Sequence, residues 1–180
     1  MLKCWVRLVI ACVFAGGVMM PSEAAAKSEP PETVQTVDVN RYMGLWYEIA
    51  RYPVWFEKDC VAVTAEYTLL PNGKVRVLNS CRKKSFDGPG KIAKGKAWIA
   101  DKKTNAKLKV SFFWPFRGDY WILELGPDYE YAIVGDPKRK TLWILARAPR
   151  ISEELYAALL KKIEAMGFDP LKLEKTPQPR

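Results

Sequence analysis

Histidine does not occur anywhere in the 180 residues of this chain. Its absence removes a Ser/His/Asp triad, a Cys/His pair and an imidazole-based metal site together, and with them the commonest general base. Cysteine is scarce as well. The four present stand at positions 4, 12, 60 and 81, too few and too far apart for a zinc ribbon or a dense disulfide framework. Beyond the leader the methionines are Met43 and Met166, so axial ligation of a haem iron would be poor. After residue 26 no apolar run approaches the roughly 20 residues that a membrane-spanning helix requires. Cations are plentiful, 29 Lys and Arg against 20 Asp and Glu for a net charge of +9, but they are spread along the chain rather than gathered on one helix or in a Gly/Arg tract. No nucleic-acid partner is therefore expected, and the positive balance suits an anionic membrane surface or an acidic ligand.

What is present begins with a leader. Lys3 and Arg7 are followed by an apolar stretch from Leu8 to Met20 and by Ala24-Ala25-Ala26, the layout of a secretory signal peptide over residues 1–26. Val9-Ile10-Ala11-Cys12 offers a second reading, acylation at Cys12. Arg7 and Cys12 are separated by only four residues, however, against the roughly 7–15 of an apolar leader region. Both readings predict export, to the periplasm or to the outer membrane. In an oxidising compartment Cys60 and Cys81 are expected as a disulfide. Residues 27–36, rich in Pro, Glu and Ser, read as a flexible lead-in, and residues 37–180 as one domain.

That domain reads as strand after strand. Gly44 to Arg51 is the first. Val61–Leu70 and Lys74–Arg82 flank Pro71-Asn72-Gly73, a hairpin signal because Asn-Gly supplies positive φ. In this hairpin Cys60 and Cys81 fall nearly opposite, and their registers require a bulge or loop to join. Segments 90–100, 106–112, 120–125, 129–135 and 141–147 follow at regular spacing, which predicts a barrel or sandwich of eight short strands. Alternation turns Val63, Ala65, Tyr67, Val75, Val77, Asn79, Leu108, Val110 and Phe112 inward, and Trp121, Leu123 and Leu125 with them. After Pro149 the period changes. Ser152 caps a helix with Glu153 and Glu154 in its first turn, and Leu155, Leu159 and Ile163 form one apolar stripe. A single helix of this kind must lie on the outside of the sheet.

Three blocks in this order resemble the signatures of the lipocalin family. They are Asp38 to Tyr42 with Gly44-x-Trp46-Tyr47-Glu48, then Asp128-x-x-Tyr131-Ala132, then Leu142 to Arg147. The run Leu108 to Phe113 with Pro115-Phe116 is similar to the bacterial subgroup, close to apolipoprotein D. The resemblance implies an all-β, eight-stranded antiparallel up-and-down barrel with one C-terminal α-helix packed outside. It also implies a cavity that holds a small apolar molecule, with no catalytic residue, metal or cofactor. Bacterial members are typically anchored through an acylated cysteine at the end of the leader, a position that Cys12 does not occupy.

In such a barrel the start of the first strand and the end of the eighth share one end. Gly44, Trp46 and Arg147 are therefore expected to close the floor, with the guanidinium over the indole. The mouth would then carry Tyr52, Trp55, Phe56 and Trp114, ringed by cations from the segments 82–84 and 138–140. Two readings of Trp55 and Phe56 stay open, a lid folded inward and a contact with an anionic membrane. The expected ligand residues are Tyr52, Trp55, Phe56, Val63, Ala65, Tyr67, Val77, Asn79, Val110, Phe112, Trp114 and Trp121. The expected function is a lipid carrier of the bacterial cell envelope that stores or transports fatty acids or lysophospholipids, as monomer or homodimer. The alternatives are a lipid-modifying enzyme on the same scaffold, using Cys60 or Cys81 as nucleophile, and a carrier of another small hydrophobic molecule.

Overall fold

The computed structural model describes residues 29–179, so the leader readings at Ala26 and Cys12 lie outside the described residues. Eight antiparallel strands form the barrel: β1 (Gly44–Arg51), β2 (Cys60–Leu69), β3 (Val75–Lys83), β4 (Gly90–Ile99), β5 (Lys107–Ser111), β6 (Gly118–Leu125), β7 (Tyr131–Gly135) and β8 (Leu142–Ala146). Each strand pairs with the next, and β1 pairs with both β8 and β2, which closes the ring. A short helix α1 (Val39–Tyr42) precedes β1, capped by the Asp38 carboxylate, which accepts from the Asn40 and Arg41 amides. After the barrel come α2 (Glu153–Ala165) and a two-residue strand β9 (Glu174–Lys175). Among the described residues no helix is long and apolar enough to cross a membrane.

Two apolar clusters share the barrel wall. One fills the interior, with Trp46, Ala65, Tyr67, Val75, Val77, Leu108, Ile122, Val134 and Leu145. The other lies between the wall and α2, where Leu159 and Ile163 pack on Leu123, Ile133, Leu142 and Ile144. Strands β7 and β8 are therefore buried on both faces, which is why they read as unbroken apolar runs rather than alternating ones. Ser152 caps α2 by accepting from the Leu155 amide at 3.1 Å.

Irregularities correct two expectations. In β6 a bulge between Ile122 and Glu124 shifts the alternation. Tyr120 and Ile122 face inward ahead of it, Leu125 beyond it, and Trp121 and Leu123 belong to the outer cluster beneath the helix. Trp121 is thus not an interior wall residue; Lys107 Nζ lies 4.4 Å from the centre of its ring. The lead-in is held against the barrel: in residues 29–36 the Val34 amide donates to the Ile122 carbonyl at 3.1 Å, and Pro31 is buried. Strand β5 is short, so β6 has free pairing capacity that the lead-in takes up.

A further seam sits between β1 and β2, which pair only from Gly44 to Tyr47. Beyond that point the C-terminal segment fills the gap. Strand β9 pairs with Ala50 and Arg51, the Ala62 amide donates to the Pro177 carbonyl at 2.8 Å, and Gln178 Nε2 donates to the carbonyls of Glu48 and Val63 at 2.8 and 2.9 Å.

Candidate functional site

The closed end is built on Trp46. Gly44 adopts φ +94°, a conformation that a side chain would strain, and turns the chain from α1 into β1. Trp46 is fully buried, and its indole N–H donates to the Tyr42 carbonyl at 2.9 Å. Over its ring lies the Arg147 guanidinium, 3.9 Å from the centroid. That guanidinium also donates to the carbonyls of Arg41, Leu45 and Met43 at 2.7, 2.8 and 2.9 Å. These carbonyls belong to the end of α1 and the start of β1, where backbone acceptors lack a regular partner. One side chain thus satisfies three of them and covers the floor.

Above the floor is a cavity of about 670 Å³, within the range of small-molecule sites. Val63, Ala65 and Tyr67 of β2, Val77 and Asn79 of β3, Val110 of β5 and Phe112 just beyond it line the wall, together with Leu108, Trp143 and Leu145. Phe112 packs directly on Gly95 of β4, where a Cβ would come within 2.8 Å of the ring. Asn79 Oδ1 is buried and accepts no hydrogen bond, so the wall holds an acceptor that a ligand or water must satisfy.

Polar groups gather in two places that alternation alone did not bring together. At the floor the hydroxyl of Tyr120 lies 2.7 Å from that of Tyr42 and 2.9 Å from that of Tyr67. Nearer the mouth, Glu48 and Glu57 line the cavity beside the buried Arg51, whose Nε lies 3.1 Å from Glu57 Oε2 and 3.7 Å from Glu48 Oε1. The Thr176 hydroxyl, carried in by the C-terminal segment, donates to Glu48 Oε1. Burial, followed by the charge of Glu57, pushes the Glu48 carboxyl up to about 8, against the Thr176 hydrogen bond and the Arg51 charge. Burial raises Glu57 too, against the opposing pull of its neighbours. Near neutrality this pair therefore retains a proton. Glu48 stands two residues after Trp46 in one strand and so shares its face; Glu57 and Tyr120 carry no such signal, the first because it sits in a loop, the second because the β6 bulge hides it.

At the mouth, Trp55, Phe113, Trp114 and Phe116 are 85%, 75%, 76% and 77% exposed. Trp55 and Phe56 border the opening, whereas Trp114 stands on the rim with the Arg117 guanidinium 5.1 Å from its ring centre. Arg117, Lys138 and Lys140 line the same opening. Trp55 projects into solvent rather than folding in as a lid. Tyr52 is not at the mouth. Its hydroxyl donates to the Asp169 carbonyl and accepts from the Asp169 amide, both at 2.8 Å, and its ring meets Phe168 edge-on in the outer cluster. The bulge of β1 between Glu48 and Ala50 turns it outward.

Cys60 and Cys81 are joined as a disulfide with Cα atoms 5.6 Å apart. The bulge that their registers require occurs between Val61 and Thr64, where Ala62 takes φ +51°. Neither sulfur is left as a thiol nucleophile. No group of three or more His, Cys, Asp or Glu able to hold a metal occurs among the described residues.

A closed barrel, one outer helix and an apolar cavity between a plugged floor and an open rim agree with what comparison with known proteins finds. Residues 37–178 match the model of the lipocalin-like domain. The chain is 44% identical over 156 residues to temperature-induced lipocalin-1 of Arabidopsis thaliana, covering 82% of each. It is 40% identical over 162 residues to the outer membrane lipoprotein Blc of Escherichia coli K12, covering 87% of this chain and 89% of that protein. In fold it matches insecticyanin of the tobacco hornworm Manduca sexta with a TM-score of 0.66 at 23% identity, over 83% of this chain and 85% of that one. The chain is a member of the lipocalin family, a lipocalin that binds a small hydrophobic ligand.

Proposed function

We propose that this lipocalin carries single-chain lipids, fatty acids or lysophospholipids, in the bacterial cell envelope. The observation that carries the reading is the cavity of about 670 Å³ with a largely apolar wall, opening between exposed aromatics and the cations Arg117, Lys138 and Lys140. An acyl chain buried there gains about 0.8 kcal/mol per CH₂ before the cost of immobilising it. An acidic headgroup left at the rim meets positive charge and stays hydrated. Val63, Ala65, Tyr67, Val77, Asn79, Val110 and Phe112 are the residues proposed to touch the chain, with Trp55 and Phe56 at the entrance.

The same rim suits a peripheral contact with an anionic membrane, where aromatic side chains settle at headgroup level and cations meet acidic lipid. An envelope location is supported by the 40% identity to a protein named an outer membrane lipoprotein. Native mass spectrometry after incubation with hexadecanoic acid or a lysophospholipid tests the carrier reading. Retention of one lipid per chain is expected; retention of neither class overturns it.

A further inference from the structure

We propose that the floor of the cavity is a second polar subsite, formed by Tyr42, Tyr67 and Tyr120, that takes a hydrogen-bond-accepting oxygen at the inner end of the bound chain. The ligand class this implies is an amphiphile with oxygen at both ends, a headgroup at the rim and a hydroxyl or carbonyl at the far terminus. The inference rests on the carrier reading and deepens it.

The floor holds more phenolic protons than acceptors in contact with them. Each phenol has one O–H to donate and two lone pairs to accept with. Tyr120 contacts Tyr42 at 2.7 Å and Tyr67 at 2.9 Å. Among the described residues, no other acceptor takes a proton from any of the three. Two contacts consume two of the three protons, whichever way the bonds run. One O–H is always left over, and all three residues line the cavity. A buried donor without an acceptor costs about 1–3 kcal/mol, so whatever enters the floor is favoured if it brings an oxygen.

The surroundings fix which kind of group is wanted. Trp46 Nε1 is already committed to the Tyr42 carbonyl, and Arg147 to three backbone carbonyls. Among the described residues no carboxylate forms an ion pair with Arg147, so the floor carries a positive charge that favours partial negative charge there. Burial holds Tyr67 up at about 12 and keeps Tyr42 and Tyr120 well above the ordinary phenol value, so all three remain donors at any physiological pH. The upper wall is opposite in character. Glu48 and Glu57 are there, already ion-paired with the buried Arg51, and Glu48 accepts from the Thr176 hydroxyl as well. The hydroxyls are also held in place, with Tyr67 edge-on to Tyr120 at 6.0 Å and Tyr42 against Trp46 at 5.0 Å. A preorganised donor requires little reordering when its acceptor arrives.

Calorimetric titration with hexadecanoic acid and with 16-hydroxyhexadecanoic acid tests the subsite. The native protein is expected to bind the hydroxy acid about tenfold more tightly. The single variants are uninformative, since Tyr42→Phe or Tyr67→Phe still leaves one proton free and Tyr120→Phe, which breaks both contacts, leaves two. The triple variant Y42F/Y67F/Y120F removes every hydroxyl while keeping ring volume. It should lose the preference for the hydroxy acid, so that the ratio of the two affinities falls from about ten to about one. A measurement on the native protein stands independently of whether that variant folds. The terminal ester carbonyl of bound hexadecanedioic acid monomethyl ester should absorb at lower infrared frequency than in hydrocarbon solvent. Equal affinity for the two acids in the native protein, a preference that survives the triple variant, or an unshifted carbonyl band would each overturn the subsite while leaving the carrier reading intact. Failure of both acids to bind overturns the carrier reading and the subsite with it.

Discussion

At the closed end of the barrel Trp46 is fully buried beneath Arg147, whereas at the open end Trp55 and Trp114 stand largely in solvent, Trp114 with Arg117 beside it. The pairing of a guanidinium with an indole occurs at both ends, and its consequences differ because the surroundings differ. Below, Arg147 also satisfies three carbonyls and excludes water. Above, the Arg117–Trp114 pair is exposed, and solvent screens most of its worth. The floor therefore contributes stability, and the rim remains available for binding.

Truncation of each tryptophan separates these roles most sharply. Trp46→Ala removes a buried indole and leaves a cavity beneath Arg147, and should lower unfolding free energy by about 3–5 kcal/mol in urea titration. Trp55→Ala, by the same measurement, should change it by less than about 0.5 kcal/mol. Equal losses at the two ends would break the contrast. The next largest effect concerns the disulfide, which spans 21 residues of the β2–β3 hairpin at its mouth end. Replacing both Cys60 and Cys81 by Ser should cost about 3 kcal/mol through the freed hairpin in the unfolded chain. The strand nearest the rim should lose hydrogen-exchange protection first, with the floor unchanged.

The contrast also marks what was legible in the sequence. Strand number, the β2–β3 hairpin, the capped helix and the inward faces of β2, β3 and β5 follow from period-2 and period-3.6 patterning, because those strands have one wet face and one dry. Strand β6 was misread because α2 covers its outer face: Trp121 and Leu123 are as apolar as the true interior, and the bulge after Ile122 moves the alternation without any glycine or proline to announce it. Tyr52 was misplaced for a related reason, the bulge in β1. The Glu48–Arg51–Glu57 cluster depends on a loop and on Thr176 from the far end of the chain. Contacts over 128 residues have no local signature.

That cluster gives the mouth half a pH dependence near neutrality that the floor lacks, since the floor phenols are held above their ordinary value of 10.0. The Glu48 carboxyl ionises near 8 in the folded protein and near 4.5 when unfolded. Between those values the folded state holds the extra proton. Stability from this group is thus fully present below about 4.5, declines as pH rises, and levels off above about 8. Glu48→Gln keeps the Thr176 partner and removes the titration. Its unfolding free energy should fall less than that of the native protein between pH 6 and pH 9, by on the order of 2 kcal/mol. An unchanged slope in Glu48→Gln would place the titration elsewhere.

The smallest expected effect tests whether the rim acts apart from the cavity. Trp114 is exposed, borders no part of the cavity wall and touches Arg117. Trp114→Ala should therefore leave hexadecanoic acid affinity unchanged and stability within about 0.5 kcal/mol. Sedimentation with phosphatidylglycerol vesicles should show about threefold weaker association, since one interfacial indole is lost while the surrounding cations remain. Raising the salt concentration should weaken the association of both proteins, because the attraction between lysines and acidic lipid is screened. Phosphatidylcholine vesicles, which lack that charge, should bind either protein poorly. If Trp114→Ala weakens fatty acid binding as much as vesicle binding, the rim and the cavity are one site. If vesicle binding is absent from the native protein, the exposed aromatics serve only the entry of the ligand.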